Sequence, residues 1–125
     1  MNETPRVEYY EINADDPQRA MAFYKEVFGW RFESWNGPFE YWLARTGEKG
    51  EKGIDGGIQR RTDPRAMVVN YIGVRDIDEL IRKIVMHHGK IIQQKTAVPG
   101  VGWVIMFQDT EGNIFGAMQE DHTLK

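Results

Sequence analysis

At a constant offset of 60 residues, Ile12 falls on Ile72, Asp16 on Asp76 and Gly29 on Gly89. Each pair occupies a place with structural meaning, so internal duplication limits the fold more than any other feature of the chain. In both halves a run of strand formers leads into an aspartate, an apolar run of helical period follows, and a glycine closes it. Asp16 stands before Pro17, a carboxylate cap followed by proline at the first helical position. From there Ala20, Met21, Phe23, Tyr24, Val27 and Phe28 mark one broad face, which predicts a helix over 17–28 with Gly29 as its stop. In the second half Asp76 and Glu79 resemble a capping box. Ile77, Leu80, Ile81, Ile84 and Val85 trace the helical face before Gly89, with His87 and His88 in the last turn, where they favour the negative end of the helix dipole.

Strand-forming runs surround both helices. The first half offers Arg6 to Ala14, Trp30 to Trp35, Phe39 to Arg45 and Gly53 to Arg60; the second offers Ala66 to Val74, Ile91 to Ala97, Gly102 to Gln108 and Asn113 to Gln119. Asn36-Gly37 reads as a hairpin turn, since both types tolerate positive φ. The polar segment Gly47 to Gly53 and the run Asp109 to Asn113 read as solvated connections, and Glu120 to Lys125 as a frayed tail. The expected class is therefore α+β: two tandem βαβββ modules, about 5–61 and about 65–120, in a single domain, since 125 residues supply the material for about one. At the same offset Ile54 to Gln59 falls on Ile114 to Gln119, which sets Gly56 with Gly116 and Ile58 with Met118 on one sheet face. Each helix covers one face of its module, and the other, carrying Tyr9, Val69, Ile58 and Met118, needs cover. Pairing the two open faces, within one chain or across a domain-swapped dimer, predicts a curved eight-stranded cleft suited to a small molecule.

Composition narrows the partners. A net charge of -3 lacks the basic footprint of a phosphate-backbone binder, so nucleic acid is not expected. With no cysteine there is no disulfide framework, thiolate metal site or cysteine nucleophile. No apolar run reaches the ~18 residues needed to span a bilayer and the start is not a secretory signal, so a cytoplasmic protein without a membrane partner is expected. Gly-x-Ser-x-Gly, Gly-x-Gly-x-x-Gly and His-Glu-x-x-His are all absent, as is the Gly-Lys-Ser/Thr ending of a phosphate loop.

The run Tyr10-Glu-Ile-Asn-Ala-Asp-Asp-Pro-Gln-Arg-Ala-Met-Ala-Phe-Tyr-Lys-Glu-Val-Phe-Gly-Trp30 resembles the vicinal oxygen chelate superfamily, the glyoxalase, bleomycin-resistance and extradiol dioxygenase group. Pro99 to Trp103 and Asp109-Thr-Glu-Gly-Asn-Ile-Phe-Gly-Ala-Met-Gln119 reinforce the resemblance, which covers nearly the whole chain. The resemblance implies a divalent ion held by His, Gln or Glu from the first and fourth strands of each module. Aligned by motif, those places fall at Tyr9, Gly56, Val69 and Gly116. Two glycines and a valine offer no donor and a neutral tyrosine is a poor ligand, so no metal site and no cofactor are expected.

Among single residues, alternation places Glu11 on the face of Tyr9, towards the cleft. A carboxylate there gains the raised pKa that a general acid or base needs, which makes Glu11 the catalytic candidate; the structural alternative is a hydrogen bond to Tyr71 or a pairing with arginine. Tyr9, Trp42, Tyr71, Trp103 and Met118 are the expected ligand contacts, Trp42 and Trp103 as a pocket-lining pair from the third strands. The vicinal pair His87 and His88 points ~100° apart on a helix and cannot share an ion unaided. The leading expectation is a metal-free protein that binds a small organic molecule in an aromatic cleft and forms a homodimer. Two alternatives stand beside it. One is a lactoylglutathione lyase-like enzyme with Glu11 as proton shuttle and an ion recruited by Tyr9, Glu11 and water. The other is a dimeric interaction module without a ligand.

Overall fold

A computed structural model describes residues 4–125. The chain divides into two compact units, Tyr9–Val69 on one side and residues 4–8 with 70–125 on the other. Among the described residues, eight strands and two helices make an α+β fold, and no helix is long and apolar enough to cross a membrane.

The first module contains β1 (Arg6–Ala14), α1 (Pro17–Phe28), β2 (Arg31–Ser34), β3 (Trp42–Arg45) and β4 (Gly56–Arg60), with strands in the order β2-β3-β4-β1. β1 and β4 run parallel, Glu11 opposite Gly57 and Ile12 opposite Ile58; the other neighbours are antiparallel. The Asp16 carboxylate accepts from the Arg19 N–H at 3.1 Å, and Gly29 ends α1 in the left-handed region (φ 75) with its N–H on the Lys25 carbonyl at 2.9 Å. Ala20, Met21 and Tyr24 of α1 pack on buried Ile12, Ala14 and Ile58.

The second module repeats the plan with β5 (Val68–Gly73), α2 (Ile77–Met86), β6 (Lys90–Val98), β7 (Gly102–Gln108) and β8 (Ile114–Glu120), in the order β5-β8-β7-β6. Its core is Ile77, Ile105 and Ala117, covered by Leu80, Ile81 and Ile84. The Asp76 carboxylate caps α2 by accepting from the Glu79 N–H at 3.0 Å, and the Gln119 side chain accepts from the Ile77 N–H at 2.9 Å. Two side-chain oxygens thus satisfy two of the four orphan donors that every helix start leaves.

Several local expectations need correction. α2 stops at Met86, so His87 and His88 lie past the helix. His88 takes the left-handed conformation (φ 74) and the Gly89 N–H reaches back to the Ile84 carbonyl at 2.8 Å, the Schellman pattern. Gly89 is needed for space instead: a Cβ there would lie 2.7 Å from the Ile84 side chain and 2.9 Å from the Gln108 carbonyl. Gly37 has no positive φ and makes no tight hairpin turn; the Trp35 ring lies over it within a longer connection. The tail is held, because Asp121 N–H donates to the Val101 carbonyl and Gly100 N–H to the Leu124 carbonyl, at 3.0 and 2.9 Å.

Candidate functional site

The helix-covered faces are identified by their cores, and the remaining side chains therefore point the other way. In the first module that second face carries Tyr9, Glu11 and Asn13 from β1 and Gly57 and Gln59 from β4, since successive side chains alternate along a strand. Glu11 and Asn13 are both buried, 7% and 6% exposed. A charged and an amide side chain at that depth need partners.

The partners form one connected chain. Tyr41, just before β3, donates its hydroxyl to Glu11 Oε2 at 3.1 Å, and its oxygen lies 2.7 Å from the Tyr9 hydroxyl. With the Tyr41 proton committed to the carboxylate, Tyr9 is the donor of that second bond. On the other side Gln59 Nε2 donates to Glu11 Oε1 and to Asn13 Oδ1, both at 3.1 Å, and Asn13 Nδ2 donates to the Met67 carbonyl at 3.2 Å. Burial pushes the Tyr9 phenol up to about 12, and burial followed by the charge of Glu11 raises Tyr41 as well. Both hydroxyls therefore stay protonated at neutral pH and act as donors facing the carboxylate.

The two glycines expected to match across the modules do not. Tyr10 stands opposite Gly56, and its ring covers that glycine on the helix side, whereas the Tyr41 and Tyr9 hydroxyls lie where a Cβ of Gly57 would be. In the second module Tyr71 stands opposite Gly116 and its ring covers it. Glu11 and Tyr71 match at an offset of 60, so their partners Gly57 and Gly116 match at 59: the fourth strands are slipped by one residue. A slip of one reverses the face of every side chain in the strand. Ile58 accordingly lies in the core under α1, away from the face that Met118 shares with Gly116 in its own module, and Gly57 replaces Gly56 at the fourth-strand position.

The correction leaves the donor count unchanged. Tyr9, Gly57, Val69 and Gly116 present one neutral phenol among them, and the space above each glycine is filled by an aromatic side chain. Among the described residues no three His, Asp or Glu side chains gather as an ion would require. The residues present do not fit the divalent ion that the fold's metalloenzymes carry.

Trp42 and Trp103, expected to line the cleft, pack instead on the helix-covered faces, Trp42 against the Ile12 and Ile58 cluster and Trp103 against the Ile105 and Ala117 cluster. Their phase decides this, because Trp42 pairs with Ile58 and Trp103 lies two residues from Ile105. Lys95 Nζ stands 4.6 Å from the Trp103 ring centre. Tyr71 and Met118 do lie away from the helix in the second module, as Tyr9 and Glu11 do in the first. His122 bonds the Gly100 carbonyl at 3.0 Å and stands 3.5 Å from the Glu120 carboxylate. Tyr41, Asn13 and Gln59 are the site residues that sequence reasoning missed. The available signal was the polar Glu11 and Asn13 at period two, on the face of β1 that also carries Val7 and Tyr9, which demanded polar neighbours on β4.

A family model described as Glyoxalase/Bleomycin resistance protein/Dioxygenase superfamily matches residues 6–116. A glyoxylase-like domain-containing protein from Didymella fabae is 32% identical over 108 residues, 82% of this chain and 84% of that protein. Among solved structures, a glyoxalase/bleomycin resistance protein/dioxygenase superfamily member from Vibrio splendidus 12B01 superposes with a TM-score of 0.62 at 18% identity, covering 94% of this chain and 100% of that one. Methylmalonyl-CoA epimerase from Mycobacterium tuberculosis gives 0.64 at 12% identity, covering 97% and 93%. At such identities these two speak for the fold alone. With a model match over nearly the whole chain and a relative this similar, the chain belongs to the glyoxalase/bleomycin resistance protein/dioxygenase superfamily.

Proposed function

We propose that this chain binds a small organic molecule without a divalent ion, using the face of the first module that carries Glu11. The observation behind the reading is the filling of the fourth-strand glycines: phenols cover Gly57 and a ring covers Gly116 where a metalloenzyme of this fold needs donors. Glu11 is the group that exchanges a proton with the ligand, and Tyr9 contacts it. Gln59 and Tyr41 are positioning residues, holding the two carboxylate oxygens from opposite sides. On the second module, taken by itself, Tyr71 and Met118 are the residues of the corresponding face assigned to ligand contact. Trp42 and Trp103 are assigned to the two cores.

The test is a thermal-shift screen of chelator-treated protein against a broad small-molecule library. A ligand at 100 times its dissociation constant adds about 2.7 kcal/mol of stability, which is readily seen as a rise in melting temperature. The expected result is stabilisation with chelator present and its loss in Glu11→Gln. A stoichiometric divalent ion in the purified protein, or stabilisation that requires added nickel, zinc or manganese, removes the proposal. The lyase-like alternative is addressed by the hemithioacetal of methylglyoxal and glutathione with each of those ions: background rates throughout dismiss it.

A further inference from the structure

The hydrogen bonds around Glu11 run in one direction, and a backbone carbonyl sets it. The Met67 carbonyl accepts from the Asn13 backbone N–H at 2.9 Å and from Asn13 Nδ2 at 3.2 Å. A carbonyl can only accept, so the amide nitrogen of Asn13 lies on that side and its Oδ1 on the other. Oδ1 in turn takes one N–H of Gln59 Nε2 at 3.1 Å, and the same nitrogen donates to Glu11 Oε1, also at 3.1 Å. The Gln59 amide is thereby held from two directions, since turning it over would set its oxygen against both Asn13 Oδ1 and the carboxylate. Tyr41 spends its hydroxyl proton on Glu11 Oε2, and Tyr9 spends its own on Tyr41. At the 60-residue offset Gly73 stands where Asn13 does, so the second module has no such clamp.

What this network offers a ligand is an acceptor. Gln59 is half-buried, its Nε2 is committed to two partners, and its Oε1 takes no hydrogen bond from any described residue. Beside it stands the charge of Glu11. A ligand group that can only accept, such as a carboxylate or phosphate, finds no partner in Gln59 and is repelled by that charge. A group that donates from nitrogen satisfies Gln59 Oε1, and a positive charge on it makes the bond shorter and stronger. Tyr41 adds a second preference. Its ring lies 5.9 Å from Trp35 and 6.2 Å from Phe39, these two are 4.9 Å apart, and Phe39 is 49% exposed. Aromatic rings beside a carboxylate suit an organic cation with an apolar body. We propose that the ligand of this face is an organic ammonium or amidinium ion, and that Asn13 is a specificity-determining residue that keeps the Gln59 oxygen available to it. The inference rests on the reading of the Glu11 face as a binding site for a small organic molecule.

Probes sharing one phenyl ring test it: benzylamine and benzamidine, both protonated at neutral pH, with benzyl alcohol and benzoate for comparison. The side-chain amide signals of Asn13 and Gln59 in heteronuclear NMR spectra report contact, and titration of the full chain gives each dissociation constant. Chelator-treated wild type is expected to bind the two cations about tenfold more tightly than benzyl alcohol, the equivalent of ~1.4 kcal/mol, with the Gln59 signal moving, and to leave benzoate unbound. Asn13→Leu releases Gln59 to turn over and is expected to remove most of the preference for cation over alcohol, whereas a loss of packing alone weakens both probes and keeps their ratio. Gln59→Leu, which deletes the acceptor, gives a second reading of the same ratio. An unchanged ratio in both variants overturns the role given to Asn13 and Gln59. Benzoate bound as tightly as the cations, no response to either cation, or cation binding that leaves the Gln59 signal in place overturns the ligand class, while uncharged or anionic hits in the thermal-shift library keep the Glu11 face as a site for another kind of molecule. A library without any hit removes that underlying reading and this inference with it.

Discussion

In the first module the positions pointing away from the helix are Tyr9, Glu11, Asn13 and Gln59; in the second the matching ones are Val69, Tyr71, Gly73 and Met118. One backbone plan therefore carries a buried carboxylate with a phenol and amide network in one copy, and a mainly apolar surface in the other. Even Gly73 differs in kind from Asn13, because the Glu8 carboxylate lies where its Cβ would be. The helix-covered faces show no such divergence: Ile12, Ala14 and Ile58 do under α1 what Ile105 and Ala117 do with Ile77 under α2. A core tolerates only apolar residues of suitable volume, while the opposite face is free to change as long as each buried polar group finds a partner. The buried polar side chains Glu11 and Asn13 thus lie where the repeats disagree.

The sharpest way to examine that contrast starts with what should be equal. Ile58→Ala and Ile105→Ala each remove a fully buried side chain and are expected to cost ~2–5 kcal/mol in chemical denaturation, by similar amounts in the two modules. A large inequality would break the equivalence of the two cores. Next comes the difference. Glu11→Ala takes the carboxylate acceptor from the Tyr41 hydroxyl and leaves Gln59 with one fewer acceptor, an expected loss of ~1–3 kcal/mol, whereas Met118→Leu conserves volume and should cost less than ~1.5 kcal/mol. Equal losses from both would remove the distinction between the two faces.

Alkaline pH separates the modules further. The Tyr9 phenol is raised from 10 to about 12, so the fold favours its neutral form; that contribution is complete below pH 10 and disappears as pH rises through about 12. Stability should fall over this window, and Tyr9→Phe should flatten the fall, while a late-titrating component at 295 nm is lost with it. Val69, at the matching place, has nothing to titrate. The smallest expected effect is at the caps, where Asp16→Ala and Asp76→Ala should each cost ~0.5–2 kcal/mol by thermal denaturation, because each deletes one carboxylate bond to a helix-start N–H.

Much of the architecture was legible from local chemistry. Asp16 with Pro17, Asp76 with Glu79, and the apolar period of each helix state their roles within a few residues, so both helices and their starts follow directly. Glu11 was visible as a carboxylate on the strand face of Tyr9, yet its partners were not, since Tyr41 and Gln59 reach it only through neighbouring strands. The two fourth-strand glycines of the first module show the difficulty well. Gly56 and Gly57 are chemically identical, and only the pairing of β4 with β1 says which of them faces Glu11.

The amino-acid order alone determined the duplication, the strand and helix types, and the presence of only a neutral phenol and a valine at the first-strand positions Tyr9 and Val69, all of which rest on short-range propensity or on side-chain identity. Tertiary structure decided the phase of each strand. It sent Trp42 and Trp103 into the cores, brought Gly57 under two phenols, and joined Glu11 to Tyr41 and Gln59. The physical reason is that strand register is set by hydrogen bonding and packing between segments far apart in the chain, where a shift of a single residue exchanges the inner face for the outer.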